Sequence, residues 1–457
     1  MKIASILSIC AAAALIAVAP ASAEPMDFTI GGYFTQSVQL VDIDDHDGLS
    51  FEDEVLAQNA EIHFKGKTKL NNGTELGLRV ELEASESDDQ IDEHYLYLKG
   101  DWGKLILGAE NGIGHLMQVR APRFVPGLKM FDNSVTDDVY ESAYHRLLGG
   151  DVNNDTDNDN DISIIEDAHM STKLEHISGD ANKLSYMTPR VGGLQLGVSY
   201  APNNADHGGG ENNAGASTDA AQEDIIELGV SYKGMVRGVG YKFSYTAVEG
   251  DTVTSDRPKP ESISTGLALS YGDWVFGGNI SEYKDLHEVD DAKYADSERI
   301  ETTNYALKYK LSKTSYIGIG FTEGDERHIA RSITSDPYIT DFGDDDQEGG
   351  NGDNADDTDT LTTRLSAPIS TYEEIMVGGG TELAQGVSLG FYYMVSEATH
   401  QIRDGSYSEA GAVGAGADGT AGTGGDDVLP TAPVFTSDDE DNDAEVSALG
   451  ITLNLRF

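Results

Sequence analysis

Between Asp155 and Glu166 the chain reads DTDNDNDISIIE. Carboxylates at Asp155, Asp157, Asp159, Asp161 and Glu166 take the first, third, fifth, seventh and twelfth places of a calcium-binding loop. Asn160 stands where such loops place glycine. Hard oxygens crowded this way repel one another unless a cation sits among them, so Ca²⁺ could order the loop. A solvated acidic run is the competing reading, because no flanking amphipathic helix is evident. Asp42 to Glu54 makes a similar, imperfect match in a chain rich in Asp and Asn.

Catalytic chemistry has no comparable foothold. There is no GxSxG, HExxH or phosphate loop, the only cysteine is Cys10, and the 11 histidines are scattered without metal spacing. Acidic pairs are too numerous to single out a glycosidase-like dyad. The expectation is a protein that is not an enzyme and requires no cofactor.

What elements would carry such loops? The 457 residues hold 80 Asp+Glu against 30 Lys+Arg, a formal charge of −50, which repels nucleic acid and gathers cations. Residues 1–23 read as a secretory leader: Lys2, an apolar run from Ile6 to Ala19, then Ala21-Ser22-Ala23. Residues 24–457 then form one domain, exported and without disulfides. No later stretch is apolar for long enough to make a membrane helix.

Strand-like alternation recurs instead. Leu76, Leu78, Val80 and Leu82 alternate with Glu75, Arg79, Glu81 and Glu83; Ile62 and Phe64 alternate with His63, Lys65 and Lys67. About sixteen such segments, most near the ~10 residues of a tilted membrane strand, follow one another. Short connections (71–73, 101–103, 191–193, 272–273, 311–315) alternate with long ones (42–58, 111–181, 201–223, 326–370, 401–443). The long ones are acidic: residues 341–359 alone hold nine acids. Trp102 and Trp274 fall at short turns, where indoles sit at a membrane interface.

This pattern predicts an all-β, sixteen-stranded antiparallel transmembrane barrel, oily outside and polar within, with short turns on the inner side of the membrane and long loops outside. Two-residue pairing across Asn72-Gly73 would set a wet face against an oily one. A three-residue turn, Asn71-Asn72-Gly73, places Lys65 opposite Arg79 and His63 opposite Glu81.

At YLYLKGDWGKLILGAENG (95–112), KLSYMTPRVGGLQLGVSYAPN (183–203) and the last strand ending in Phe457, the chain resembles the general bacterial porins of the trimeric, sixteen-stranded type. The resemblance implies passive diffusion of small hydrophilic solutes and ions through a homotrimer in the outer membrane of a Gram-negative bacterium, in contact with lipid and lipopolysaccharide. It further implies that the third external loop, 111–181, folds into the lumen and sets acids against a basic wall. By parity and position the wall residues are Lys65, Lys67 and Arg79. The loop acids are Asp132, Asp137, Asp138 and Glu141, and Arg120 and Arg123 could join the basic side. At −50 the channel is expected to favour cations. Two rivals remain: a solute-selective channel, for example for carbohydrate, with inward aromatics such as Tyr392, and a secreted calcium-stabilised adhesion protein.

Overall fold

The computed structural model describes residues 25–43, 53–85, 91–128, 170–204, 222–252, 259–286, 297–329, 369–406 and 436–457. Strands β1 (Asp27–Ile43), β2 (Glu54–Lys69), β3 (Glu75–Glu83), β4 (His94–Gly100), β5 (Gly103–Ala109), β6 (Asn182–Met187), β7 (Leu194–Asn203) and β8 (Gln222–Val236) form the first half. The second half is β9 (Val239–Thr252), β10 (Glu261–Tyr271), β11 (Trp274–Lys284), β12 (Ser297–Lys310), β13 (Ser315–Ile329), β14 (Ile369–Ala384), β15 (Val387–Ser406) and β16 (Thr436–Arg456). Each pairs antiparallel with its sequence neighbours, and β16 returns to β1 to close the barrel. No described helix is long and apolar enough to span a membrane.

Closure answers the backbone's demand for partners. In hydrocarbon an unpaired amide costs several kcal/mol, and a barrel leaves no free edge. The closing seam runs from Tyr33 opposite Arg456 to Ile43 opposite Val446. Leu449, Ile451, Leu453 and Phe457 stand on the outer surface at 40–67 % exposure, while Ala448, Thr452 and Asn454 between them are buried. The oily face is therefore outside. An aromatic rim marks its short-turn edge: Trp274 lies 4.5 Å from Tyr309, centroid to centroid, and Trp102 stacks on Tyr186.

Connections after even-numbered strands are tight and those after odd-numbered strands are long, as the sequence pattern predicts. The first tight turn takes the three-residue form. Leu70 N bonds to Thr74 O, Gly73 has φ +87°, Lys65 lies opposite Arg79 and His63 opposite Glu81. Glycine fits there because it alone enters that region at no steric cost. The sequence reading misses the turns at Arg237-Gly238 and Gln385-Gly386. It also ends several strands too early: the acidic run 436–445, read as loop, belongs to β16 and pairs with β15 out to Thr436 opposite Ser406. Alternation is demanded only at the depth of lipid. Beyond it, ladder hydrogen bonds carry the strand regardless of side chain.

Candidate functional site: the lumen and its inward loop

After β5 the chain turns into the bore. A four-residue helix, α1 (Ile113–Leu116), begins the descent. Ile113 N donates to Ser199 Oγ on β7 (2.9 Å) and Gly114 N to Glu227 Oε2 on β8 (2.6 Å). Val119 N donates to Ser244 Oγ on β9 (2.7 Å). Lys308 Nζ on β12 reaches Arg123 O (2.7 Å), and Thr452 Oγ1 on β16 donates to Pro126 O (2.6 Å). This arm, 112–127, thus follows the inner wall from β7 round to β16, where Gly127 lies against Thr35 of β1.

The wall makes room for it. A Cβ on Gly266 would overlap the Val119 carbonyl, and one on Gly318 would overlap the Phe124 ring. Ala121, Phe124, Val125 and Leu128 bury themselves against Ala306, Met376, Tyr392, Met394 and Ala448. Sequence parity alone makes this inner face a wetted lining; in fact the arm keeps it dry. Tyr392, the candidate rung of an aromatic ladder, is 1 % exposed beneath the arm, its hydroxyl 3.3 Å from Ser37 Oγ.

The returning arm, 170–181, is held by the same wall. Tyr283 donates to Ser171 O and Lys173 O, and Ser281 Oγ to Thr172 O (2.8 Å). It is also tied to the outgoing arm. Gln118 Nε2 donates to Thr172 O (2.8 Å), and Glu175 bridges Lys173 (2.6 Å) and His115 Nδ1 (3.0 Å). Burial, then the Arg120 charge, push the His115 imidazole down to about 4, so it is neutral at pH 7. Burial, the largest single influence, opposes charge on Glu175 as well, but Lys173 and the contact with His115 together outweigh it and hold the carboxyl well below the usual range.

Past Leu128, the last described residue of the outgoing arm, the described wall changes character. Lys65 and Lys67 on β2 are exposed to the bore, and Arg79 on β3 stands directly across from Lys65. Tyr97 on β4 donates to Glu75 Oε1 (2.9 Å), with the Lys104 ammonium of β5 5.2 Å from the centre of its ring. Arg79 pairs with Glu81 and bonds to His63 Nδ1 (Nη2 at 3.3 Å). Of the three predicted wall residues the structure therefore sets two side by side and leaves one, Arg79, partly engaged. Sequence reasoning overlooked Glu61, His63 and Glu81, although the hairpin register already placed two of them together.

Two described groups have geometry that could hold a metal, Glu61 with His63 and Glu81, and Glu61 with Glu83 and Asp92, all ligand atoms lying within 4.8 Å. In the first, Arg79 donates to Nδ1, which leaves the ring proton on Nε2, 2.6 Å from Glu61 and 2.9 Å from Glu81. That set is satisfied without an ion. Asp132, Asp137, Asp138 and Glu141 lie outside the described residues, as do the calcium-loop acids Asp155, Asp157, Asp159, Asp161 and Glu166 and the leader 1–23.

An uncharacterized protein of Rickettsia prowazekii (strain Madrid E) is 21% identical over 292 residues, which are 59% of this chain and 62% of that relative. This chain thus matches somewhat under two thirds of the relative's length. Among solved structures, a loop L8 deletion mutant of OmpT, an outer membrane protein of Vibrio cholerae, aligns over 95% of this chain and 100% of its own, with TM-score 0.50 and 11% identity. An anion-selective porin from Comamonas acidovorans aligns over 94% of this chain and 100% of its own, with TM-score 0.48 and 13% identity. The first of these speaks for the fold. The Gram-negative porin family model matches residues 11–345, and with that match on a closed sixteen-stranded barrel the chain belongs to the Gram-negative porin family.

Proposed function

We propose that the chain is a general-diffusion porin, homotrimeric and cation-preferring, with loop 111–181 as the constriction. One observation carries this reading: the described arm, as far as Leu128, hugs the wall from β7 to β1, and Lys65, Lys67 and Arg79 stand on the bore-facing parity of the next strands, β2 and β3. The opposing acids would be Asp132, Asp137, Asp138 and Glu141. A field across a low-dielectric neck orients dipolar solutes and sorts ions. The formal charge of −50 supports the preference for cations. The leader 1–23 directs export, and the external acids meet lipopolysaccharide through divalent ions.

Planar-bilayer recording in a KCl gradient tests the preference. A reversal potential favouring K⁺ is expected, and one favouring Cl⁻ refutes it. Neutralising Asp132, Asp137, Asp138 and Glu141 together should reduce the preference; an unchanged potential means that another part of the loop forms the neck. Calcium at Asp155, Asp157, Asp159, Asp161 and Glu166 is the structural part of the reading. Calorimetry should lose a Ca²⁺ site when Asp155→Ala is combined with Glu166→Ala, and equal binding by both proteins removes it.

A further inference from the structure

The bore's charges are sorted along its axis. Near the short turns, cations stand directly opposite cations across the sheet: Lys99 opposite Lys104 and Lys233 opposite Lys242, with Lys65 opposite Arg79 somewhat deeper. All six have the bore-facing parity, and Lys65, Lys99, Lys233 and Lys242 are exposed. Like charges set directly opposite cost stability, roughly 0.2–1 kcal/mol a pair, so the fold tolerates a penalty at this end. Acids at the same end include Asp27, Glu75 and Glu382, of which the first two face Lys67 and Lys69.

Toward the long loops the sign reverses. Glu61 lies opposite Glu83, and their carboxylates converge with that of Asp92. Glu81, Glu93 and Glu227 stand on the same half of the wall; they are buried, and Glu227 accepts from Gly114 N and Ser178 Oγ. The lysines there are engaged: Lys183 donates to Ser178 Oγ (2.9 Å) and to Gly179 O, and Lys173 is held by Glu175.

We propose that this axial separation, acid at the external half of the bore and base at the inner half, makes the pore rectify ionic current. The proposal rests on the channel reading but is independent of the transverse field at the neck. With the external side positive, cations enter through the acidic half and anions through the basic half, so both accumulate in the bore. With the polarity reversed, each ion meets the half that excludes it and the bore is depleted. At 0.1 M salt the screening length is about 10 Å, a fraction of a ~30 Å hydrocarbon core, so the halves keep separate potentials. At 1 M it is about 3 Å and they do not.

The test is the current of single insertions at +100 and −100 mV in symmetric 0.1 M KCl. Orientation is read from the chamber in which streptavidin binds a biotinylated Ser312→Cys channel, Ser312 lying in the short turn after β12. We expect a conductance ratio on the order of twofold, larger with the long-loop side positive, falling toward one at 1 M KCl. Lys233→Gln with Lys242→Gln should bring the ratio toward one at 0.1 M. If that variant does not assemble, the salt series on the wild-type channel decides. Equal conductance at both polarities in 0.1 M KCl overturns the inference and leaves the channel reading standing. So does a ratio that survives 1 M salt. An inserted barrel that passes no current overturns both.

Discussion

The inner wall has two regions that differ in what they touch. From β7 round to β1 it touches protein: Gly266 and Gly318 clear a path, Ser199, Ser244 and Thr452 hold the arm's backbone, and Phe124 and Val125 sit on Ala306, Met376 and Met394. Across β2 to β5 the described bore carries the charged Lys65, Lys67, Arg79 and Lys104 and the phenol of Tyr97, the first two exposed and the others half-buried. One sheet with one alternation supplies both. What decides the side chain is whether the space in front of it holds backbone or water: close packing selects small residues, and a hydrated cavity tolerates charge.

The strongest challenge to that contrast is removal of the packing. Phe124 is 1 % exposed, so Phe124→Ala should cost about 3–5 kcal/mol, read as a lowered unfolding midpoint in detergent. Open-channel current should become noisier as the arm loosens; an unchanged midpoint would mean the covered region is not packed. Acid should act on the same arm through His115. Its folded value of about 4 lies below the ordinary 6.5, so the unfolded chain binds more protons between them and stability falls as pH drops through that window. The loss should approach about 3 kcal/mol, seen as the difference between wild type and His115→Gln, and should be absent above pH 7.

Filling the path should cost less. Gly266→Val sets a side chain against the Val119 carbonyl and should destabilise by about 1–3 kcal/mol. The smallest effect belongs to the open region: Lys65→Gln with Lys67→Gln should shift stability by no more than about 0.5 kcal/mol while changing the K⁺/Cl⁻ permeability ratio. A large stability loss there would erase the distinction between the two regions.

How much of this could be read beforehand varies with the kind of force involved. The barrel was legible because lipid imposes a strict period of two, visible at Leu449, Ile451 and Leu453. The hairpin at 71–73 was legible to the residue, since a slip by one would have turned Lys65 toward lipid. The dry inner region was not. Gly266, Gly318 and Ala448 look like any small residues on a polar parity, and only the arm's long-range path explains them. Glycine recurring at inward positions on neighbouring strands was the available signal. The acidic start of β16 hid for the opposite reason, because above the membrane a strand needs no oily face. His63 bonded between Glu61 and Glu81 lies within the β2–β3 hairpin, whose register sets His63 opposite Glu81; parity does not show that Glu61, two residues away on the same strand, turns its carboxylate onto the same ring.

A water-filled bore requires the polar face of the sheet to meet water and the oily face to meet lipid, and cysteine reactivity reads that directly. In channels reconstituted in a bilayer, a small charged thiol reagent should modify Lys67→Cys and step the single-channel current down, while Leu453→Cys should resist it and yield only to a lipid-soluble reagent. Rapid modification of Leu453→Cys by the charged reagent, with Lys67→Cys inert and the current unchanged, would contradict the water-filled bore.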